Sequence, residues 1–210
     1  LKAVTRPGDT VLLEAPVFHC FLQLIEDLNL KVLEIPGHPE TGIQPDTFKN
    51  AIRKNRVDVC LLNSNFQNPM GSVIPEKNKA AILEAALEKG IPIIEDDIYA
   101  DLFHGTRRPA SFKSMDTSGM VLYCSSLSKS LAPGLRTGWT VPGKYTREVI
   151  RIKLNTSLST PVLNQIVAAR FIGTGGYDRH LRQLRNRLKN QVSAMAMAVS
   201  RYFPSDTKIT

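Results

Sequence analysis

Short apolar runs alternate with amphipathic segments of helical length along most of this chain. Residues 10–14, 31–35, 57–63, 91–95, 120–124 and 137–141 have the length and apolar density of strands. Residues 18–29, 45–54, 76–89 and 161–172 carry apolar side chains at helical spacing, with Gly90 as a stop after the third. A polar loop is predicted over 64–75. Past the break at 173–176, Leu181, Leu184, Leu188, Val192, Met195, Val199 and Tyr202 recur at steps of three and four. That pattern predicts one long helix from about Tyr177 to the residue before Pro204, with a stripe that needs a partner surface. The whole predicts an α/β fold, a three-layer α/β/α arrangement around a mainly parallel sheet. Residues 1–176 form its body and 177–210 a connecting helix.

In such sheets ligands bind beyond the carboxyl ends of the strands. The polar clusters that follow three predicted strands, at 65–68, 95–99 and 125–129, should therefore open on one edge.

Composition narrows the class only modestly. With 42% hydrophobic and 22% charged residues, the chain has enough apolar material for a sizeable core. It lacks a run of the roughly 20 apolar residues that a membrane span needs. Residues 1–9 do not have a signal-peptide layout and read as the end of a helix stopped by Pro7 and Gly8. The net charge of +8 permits an acidic partner, but Arg179, Arg182, Arg185, Arg187 and Lys189 read as a solvated helix face. Cys20, Cys60 and Cys124 are widely spaced, the last two inside apolar runs, as expected of buried thiols in a reducing cytoplasm. His19, His38, His104 and His180 are scattered, and no metal is expected.

The chemistry concentrates after the run 120–124. Ser126, Ser128 and Lys129 are followed by Ala132-Pro133-Gly134-Leu135-Arg136. An amine can anchor an aldehyde as a Schiff base, while hydroxyls and a planar guanidinium suit a phosphate. Together they point to pyridoxal 5'-phosphate (PLP). That cofactor also needs a carboxylate at its pyridine nitrogen, donors to its phenolic oxygen and a flat stacking partner. Asp96 or Asp97 would serve the nitrogen, Tyr99 and Asn68 the phenolic oxygen, and Phe18 the ring face.

Asn-Pro-x-Gly at 68–71, Glu-Asp-Asp-x-Tyr at 95–99 and Ser-x-Ser-Lys-x-Leu-Ala-Pro-Gly-x-Arg-x-Gly-Trp at 126–139 together resemble the fold-type I PLP-dependent aminotransferases of class I/II. The resemblance implies the large domain of that fold, in a homodimer that takes an amino acid or amine ligand. It makes Lys129 the Schiff-base lysine and, through Asp-x-x-Tyr, Asp96 the partner of the pyridine nitrogen. Tyr99 and Asn68 become phenolic-oxygen donors, Ser126, Ser128 and Arg136 the phosphate clamp, and Phe18 the stacking ring. A cis peptide at Asn68-Pro69 is also implied. Leu-Tyr-Cys-Ser-Ser at 122–126 and Gly-Gly-Tyr-Asp-Arg-His-Leu-Arg at 175–182 further resemble the aminotransferase-like domain of MocR-type regulators of the GntR family. Those proteins contact DNA through a winged-helix domain ahead of this one. Further phosphate donors are expected before Leu1, and the arginine that grips a substrate carboxylate beyond Thr210. These 210 residues alone are therefore expected to hold the cofactor weakly.

Overall fold

The computed structural model of the chain describes residues 1–209. Its strands are β1 (Thr10–Ala15), β2 (Lys31–His38), β3 (Gly42–Ile43), β4 (Val59–Leu62), β5 (Ile93–Asp96), β6 (Val121–Ser126) and β7 (Gly138–Val141). They form one sheet in the order β3-β2-β1-β4-β5-β6-β7. The five central strands are parallel, and β3 and β7 pair antiparallel at the two edges. The helices are α1 (His19–Asp27), α2 (Pro45–Lys54), α3 (Glu76–Glu88), α4 (Thr146–Ser157), α5 (Val162–Gly173) and α6 (Gly176–Tyr202).

Both faces of β1, β4 and β5 are covered, which is why they read as nearly continuous apolar runs, whereas β2 leaves Val32, Glu34 and Pro36 exposed on one face. The two-residue repeat of each strand sorts its side chains between two cores. Leu12, Cys60, Leu62, Ile93 and Val121 pack with Phe48 and Ile52 of α2 and Ile82, Leu83 and Ala86 of α3. Val11, Leu13, Val59, Leu61, Ile94 and Leu122 face the other way, against Ile25 of α1 and Val149 of α4.

The structure departs from the sequence expectations in six places. Helix α4 falls where no element was expected, because Val149 alone of its residues packs on a core cluster while Ile150 and Leu154 stay exposed. Strand β3 is only two residues long, too short to leave a periodic pattern. Residues 2–4 form a turn closed by Val4 N–H donating to the Leu1 carbonyl, not a helix end. Only Cys60 is buried; Cys20 and Cys124 are half-buried. The stripe on α6 is buried only at its start: Leu181 is buried, Leu184, Leu188 and Val199 are half-buried, and Val192, Met195 and Tyr202 are exposed. The basic residues Arg179, Arg182, Arg187 and Lys189 are exposed, as a solvated face requires, but Arg185 is half-buried because it donates to the Asp101 carbonyl and lies over the Phe103 ring. Among the described residues no helix is long and apolar enough to cross a membrane, and no cluster of side chains could hold a metal ion.

One buried carboxylate lies at the end of β1. Glu14 is 3% exposed, and its Oε2 has no hydrogen-bond partner. Position 37 on β2 is glycine for a steric reason, since a Cβ there would lie 1.9 Å from Glu14 Oε1. Burial pushes the Glu14 carboxyl up to about 7. The folded state therefore keeps a proton that the unfolded chain has already released, so this group's contribution to stability falls as pH rises from about 4.5 to about 7. The expected loss is roughly 2–3 kcal/mol across that window. Denaturant titrations of wild type and Glu14→Gln at several pH values should show this slope in wild type and a flatter profile in the variant.

Candidate functional site

Going outward from β1, the strand order turns toward β2 on one side and toward β4 on the other, which is where open α/β sheets offer a crevice. The segments that follow β1, β4, β5 and β6 line its rim. Hydrogen bonds run from one segment to the next. Gln67 Nε2 donates to the Pro16 carbonyl at 2.6 Å, joining the loop after β4 to the turn that carries Phe18. Asn63 accepts the Asn68 N–H through Oδ1 at 3.0 Å and donates through Nδ2 to the Asp96 carbonyl at 2.5 Å. Ser125 Oγ donates to the Asp97 carbonyl at 3.2 Å, tying β6 to the end of β5. The structure thus brings the turn of Phe18, the loop of Asn68 and the strand ends of Asp96 and Ser126 to one edge. The Asn68-Pro69 peptide is cis, as the sequence resemblance implied, and so is Ala15-Pro16.

Lys129 sits on a single helical turn after β6. The N–H groups of Leu131 and Ala132 both donate to the Leu127 carbonyl, at 2.9 and 3.0 Å. Leu127 and Ser130 are buried and anchor the turn, while Lys129 between them is exposed. Ser126 Oγ accepts the Ser128 N–H at 3.2 Å. Strand β7 returns antiparallel with Ser126 opposite Gly138, and Leu127 N–H donates to the Thr137 carbonyl. Arg136 directly precedes Thr137, so its backbone runs next to the Leu127 end of this turn. Arg136 adopts a left-handed backbone (φ 48°), and its Nη1 donates to the Pro133 carbonyl at 3.1 Å. Phe18 caps the start of α1, half-buried, with its ring edge-on to His19 and Phe21.

The two aspartates have different surroundings. Asp97 is 1% exposed and fully engaged. It accepts from Asn65 Nδ2 at 2.8 Å, Arg108 Nη2 at 2.8 Å and the Tyr123 hydroxyl at 3.1 Å. Behind it the ammonium of Lys79, itself fully buried, donates to Asn65 Oδ1 at 2.6 Å and the Ala110 carbonyl at 2.7 Å. Burial lowers the Lys79 ammonium to about 8 despite the nearby carboxylates of Glu95 and Asp97. Glu95 is also buried and accepts from Ser64 Oγ and the amides of Phe112 and Lys113.

Asp96 lies on the opposite face of β5. Its side chain forms no ion pair among the described residues and takes only the Ile98 amide as a partner. Burial pushes it up to about 6; the Ile98 amide lowers it and the Asp97 charge raises it. The side chains of Lys129, Tyr99 and Asn68 go further and form no hydrogen bond within the described residues. The floor of the edge is fully bonded and its rim is not. The uncommitted groups are an amine, a carboxylate, an amide and a phenol, with a guanidinium alongside.

Lys79, Arg108 and Tyr123 were not foreseen from the sequence. Lys79 had left a trace: it falls on the buried stripe of α3 with Ile82, Leu83 and Ala86, where an unpaired lysine could not stay.

The chain matches the family of class I and II aminotransferases over residues 1–205 and belongs to it. It is 37% identical over 210 residues to the uncharacterized HTH-type transcriptional regulator YjiR of Escherichia coli, covering 100% of this chain and 45% of that protein. Kynurenine aminotransferase of Pyrococcus horikoshii, solved in complex with PMP, superposes with a TM-score of 0.91 at 31% identity, over 98% of this chain and 52% of that one. LysN, the alpha-aminoadipate aminotransferase of Thermus thermophilus, solved with N-(5'-phosphopyridoxyl)-L-leucine, gives 0.92 at 28% identity, over 100% and 54%. The chain therefore spans about half the length of the relatives it matches.

The Asp96 environment carries a prediction. Its proton is held more tightly in the folded state, so its contribution to stability falls as pH rises from about 4 to about 6, and at neutral pH the bare carboxylate costs the fold on the order of 2 kcal/mol. Asp96→Asn should raise the denaturation midpoint at pH 7 and remove that slope, as read by urea unfolding of the ligand-free protein.

Proposed function

We propose that this chain is the PLP-binding, aminotransferase-like effector domain of a GntR/MocR-type transcriptional regulator, with the cofactor held covalently on Lys129. One observation carries the cofactor reading: at the carboxyl edge of the sheet, the uncommitted side chains are the set this cofactor requires. When bound, PLP supplies an electrophilic aldehyde carbon and a protonated ring able to accept electron density. Lys129 provides the amine for the aldehyde. The Asp96 carboxylate offers a counter-charge for the pyridine nitrogen, which relieves the cost of keeping that carboxylate ionised in a half-buried site. Tyr99 and Asn68 donate to the phenolic oxygen. Ser126, Ser128 and Arg136 take the phosphate, and Phe18 stacks on the ring. The two solved neighbours that carry phosphopyridoxyl groups support the choice of cofactor.

The regulator reading is supported by the HTH-type relatives, among them YjiR and YdcR of Escherichia coli, both 37% identical to this chain. In this reading DNA is contacted by a separate winged-helix domain, the protein works in the cytoplasm as a homodimer, and residues 177–210 lead to a further domain. An amino acid or amine that engages the cofactor is the signal. The likeness to solved aminotransferases favours a second reading, in which the same residues serve transfer of an amino group from an amino acid to a 2-oxo acid. A transamination assay on the longer protein separates the two readings.

The cofactor assignment is tested by adding saturating PLP, reducing with borohydride and mapping the labelled peptide. The label should fall on Lys129 and vanish in Lys129→Ala. Arg136→Ala should weaken PLP binding roughly 10- to 100-fold through loss of a charge-assisted contact. Labelling spread over surface lysines, or unchanged in Lys129→Ala, rejects the assignment.

A further inference from the structure

We infer that the Tyr177 hydroxyl couples the turn carrying Lys129 to helix α6, so that the state of the lysine and the pose of the helix report on each other. This rests on the reading of Lys129 as the cofactor anchor and adds to it a mechanical output. Tyr177 is on the first turn of α6, just after Gly175 (φ 71°) and Gly176. The close approach to α5 requires glycine at 176, where a Cβ would lie 2.6 Å from the Phe171 ring. That tight corner delivers the phenol to two partners, the Asp101 carboxylate that can accept its O–H and the Ser130 hydroxyl that can donate to its oxygen. Its oxygen is 2.7 Å from Ser130 Oγ and 3.2 Å from Asp101 Oδ2.

Ser130 is the residue after Lys129 and is 1% exposed, so its hydroxyl has no route to water and depends on this partner. Asp101 links onward: its other carboxylate oxygen accepts from Arg108 Nε at 2.9 Å, and Arg108 reaches Asp97 at 2.8 Å. One phenol therefore touches both the Lys129 turn and, through two charged groups, the β5 end that carries Asp96.

A second clamp holds the same helix two turns later. Arg185 Nε donates to the Asp101 carbonyl at 2.7 Å, and its guanidinium lies over the Phe103 ring at 4.0 Å. Beyond these two clamps α6 runs on to Tyr202, with Val192 and Met195 exposed. At 27 residues the helix is roughly 40 Å long. A rigid element held at one end converts a small shift of its clamp into a larger displacement at the other. Tyr177 is thus a positioning residue: its hydroxyl bonds Ser130 and acts on Lys129 only through that neighbour.

Hydrogen exchange on the intact 210-residue chain tests this with Tyr177→Phe, Ser130→Ala and the double variant. Without PLP, each single change should speed amide exchange in both segments 127–132 and 176–185 by roughly two- to tenfold. The double variant should be no worse than Tyr177→Phe alone, because that change already removes the bond to Ser130 along with the one to Asp101. Unchanged exchange at 127–132, or additive effects in the double variant, overturns the coupling. With saturating PLP, wild type should gain protection in 176–185 and Tyr177→Phe should not; equal gains in both also overturn it. If wild type takes no label at Lys129, the cofactor reading fails while the PLP-free comparison still decides the coupling. Asn186→Ala, on the same helix outside both clamps, should leave both segments unchanged.

Discussion

Asp96 and Asp97 stand side by side at the end of β5, and the pleat of the strand sends their carboxylates to opposite faces of the sheet. On one face Asp97 meets Asn65, Arg108, Tyr123 and, through Asn65, the buried Lys79. On the other, Asp96 meets only a backbone amide. A charge that deep is tolerable only when it is paired and hydrogen-bonded, and Asp97 is both. Its partners come from the loop after β4, the segment before the 3-10 turn at Lys113–Met115, and β6. The carboxylate that cannot leave the interior thus fixes three neighbouring segments, and the other is held at the rim by the same backbone.

This division separates a fully paired carboxylate from a nearly unpaired one along a single dipeptide. The interior network is fully satisfied, and such networks hold one geometry because any rearrangement strands a buried polar group. The rim groups are the reverse. Asp96 raises the free energy of the ligand-free fold at neutral pH, and the side chains of Lys129 and Asn68 commit no hydrogen bonds to it. Sites that bind or react are commonly kept at some cost to the fold. The Tyr177 contact extends the interior network outward, so that α6 is attached to the part of the protein least free to adjust.

What was legible in the sequence is what is local. Strands β1, β4 and β5 announced themselves as apolar runs because both their faces are covered, and Asn68, Asp96 and Lys129 could be named as candidates because each lies close to a strand end. The Asp-x-x-Tyr resemblance distinguishes Asp96 from Asp97, and in the fold the two carboxylates do lie on opposite faces with different partners. Contacts distant along the chain were not legible. Nothing near Tyr177 in the sequence shows that its hydroxyl meets Asp101, 76 residues earlier, and Ser130, 47 residues earlier. Helix α4 escaped notice because its apolar side chains are mostly exposed, so no clean stripe marks it. The stripe on α6 was visible but overstated its burial, since the periodicity of a helix does not say what lies against it.

The central claim is that Asp96, and not its buried neighbour, faces the cofactor's pyridine nitrogen. Nitrogen-15 NMR of isotopically labelled PLP, fixed to Lys129 by borohydride reduction, reads the protonation of that nitrogen directly. The expected nitrogen stays protonated at neutral pH in wild type and in Asp97→Asn, the latter being less stable, and loses its proton in Asp96→Asn. A nitrogen that remains protonated in Asp96→Asn and is deprotonated in Asp97→Asn would contradict the claim.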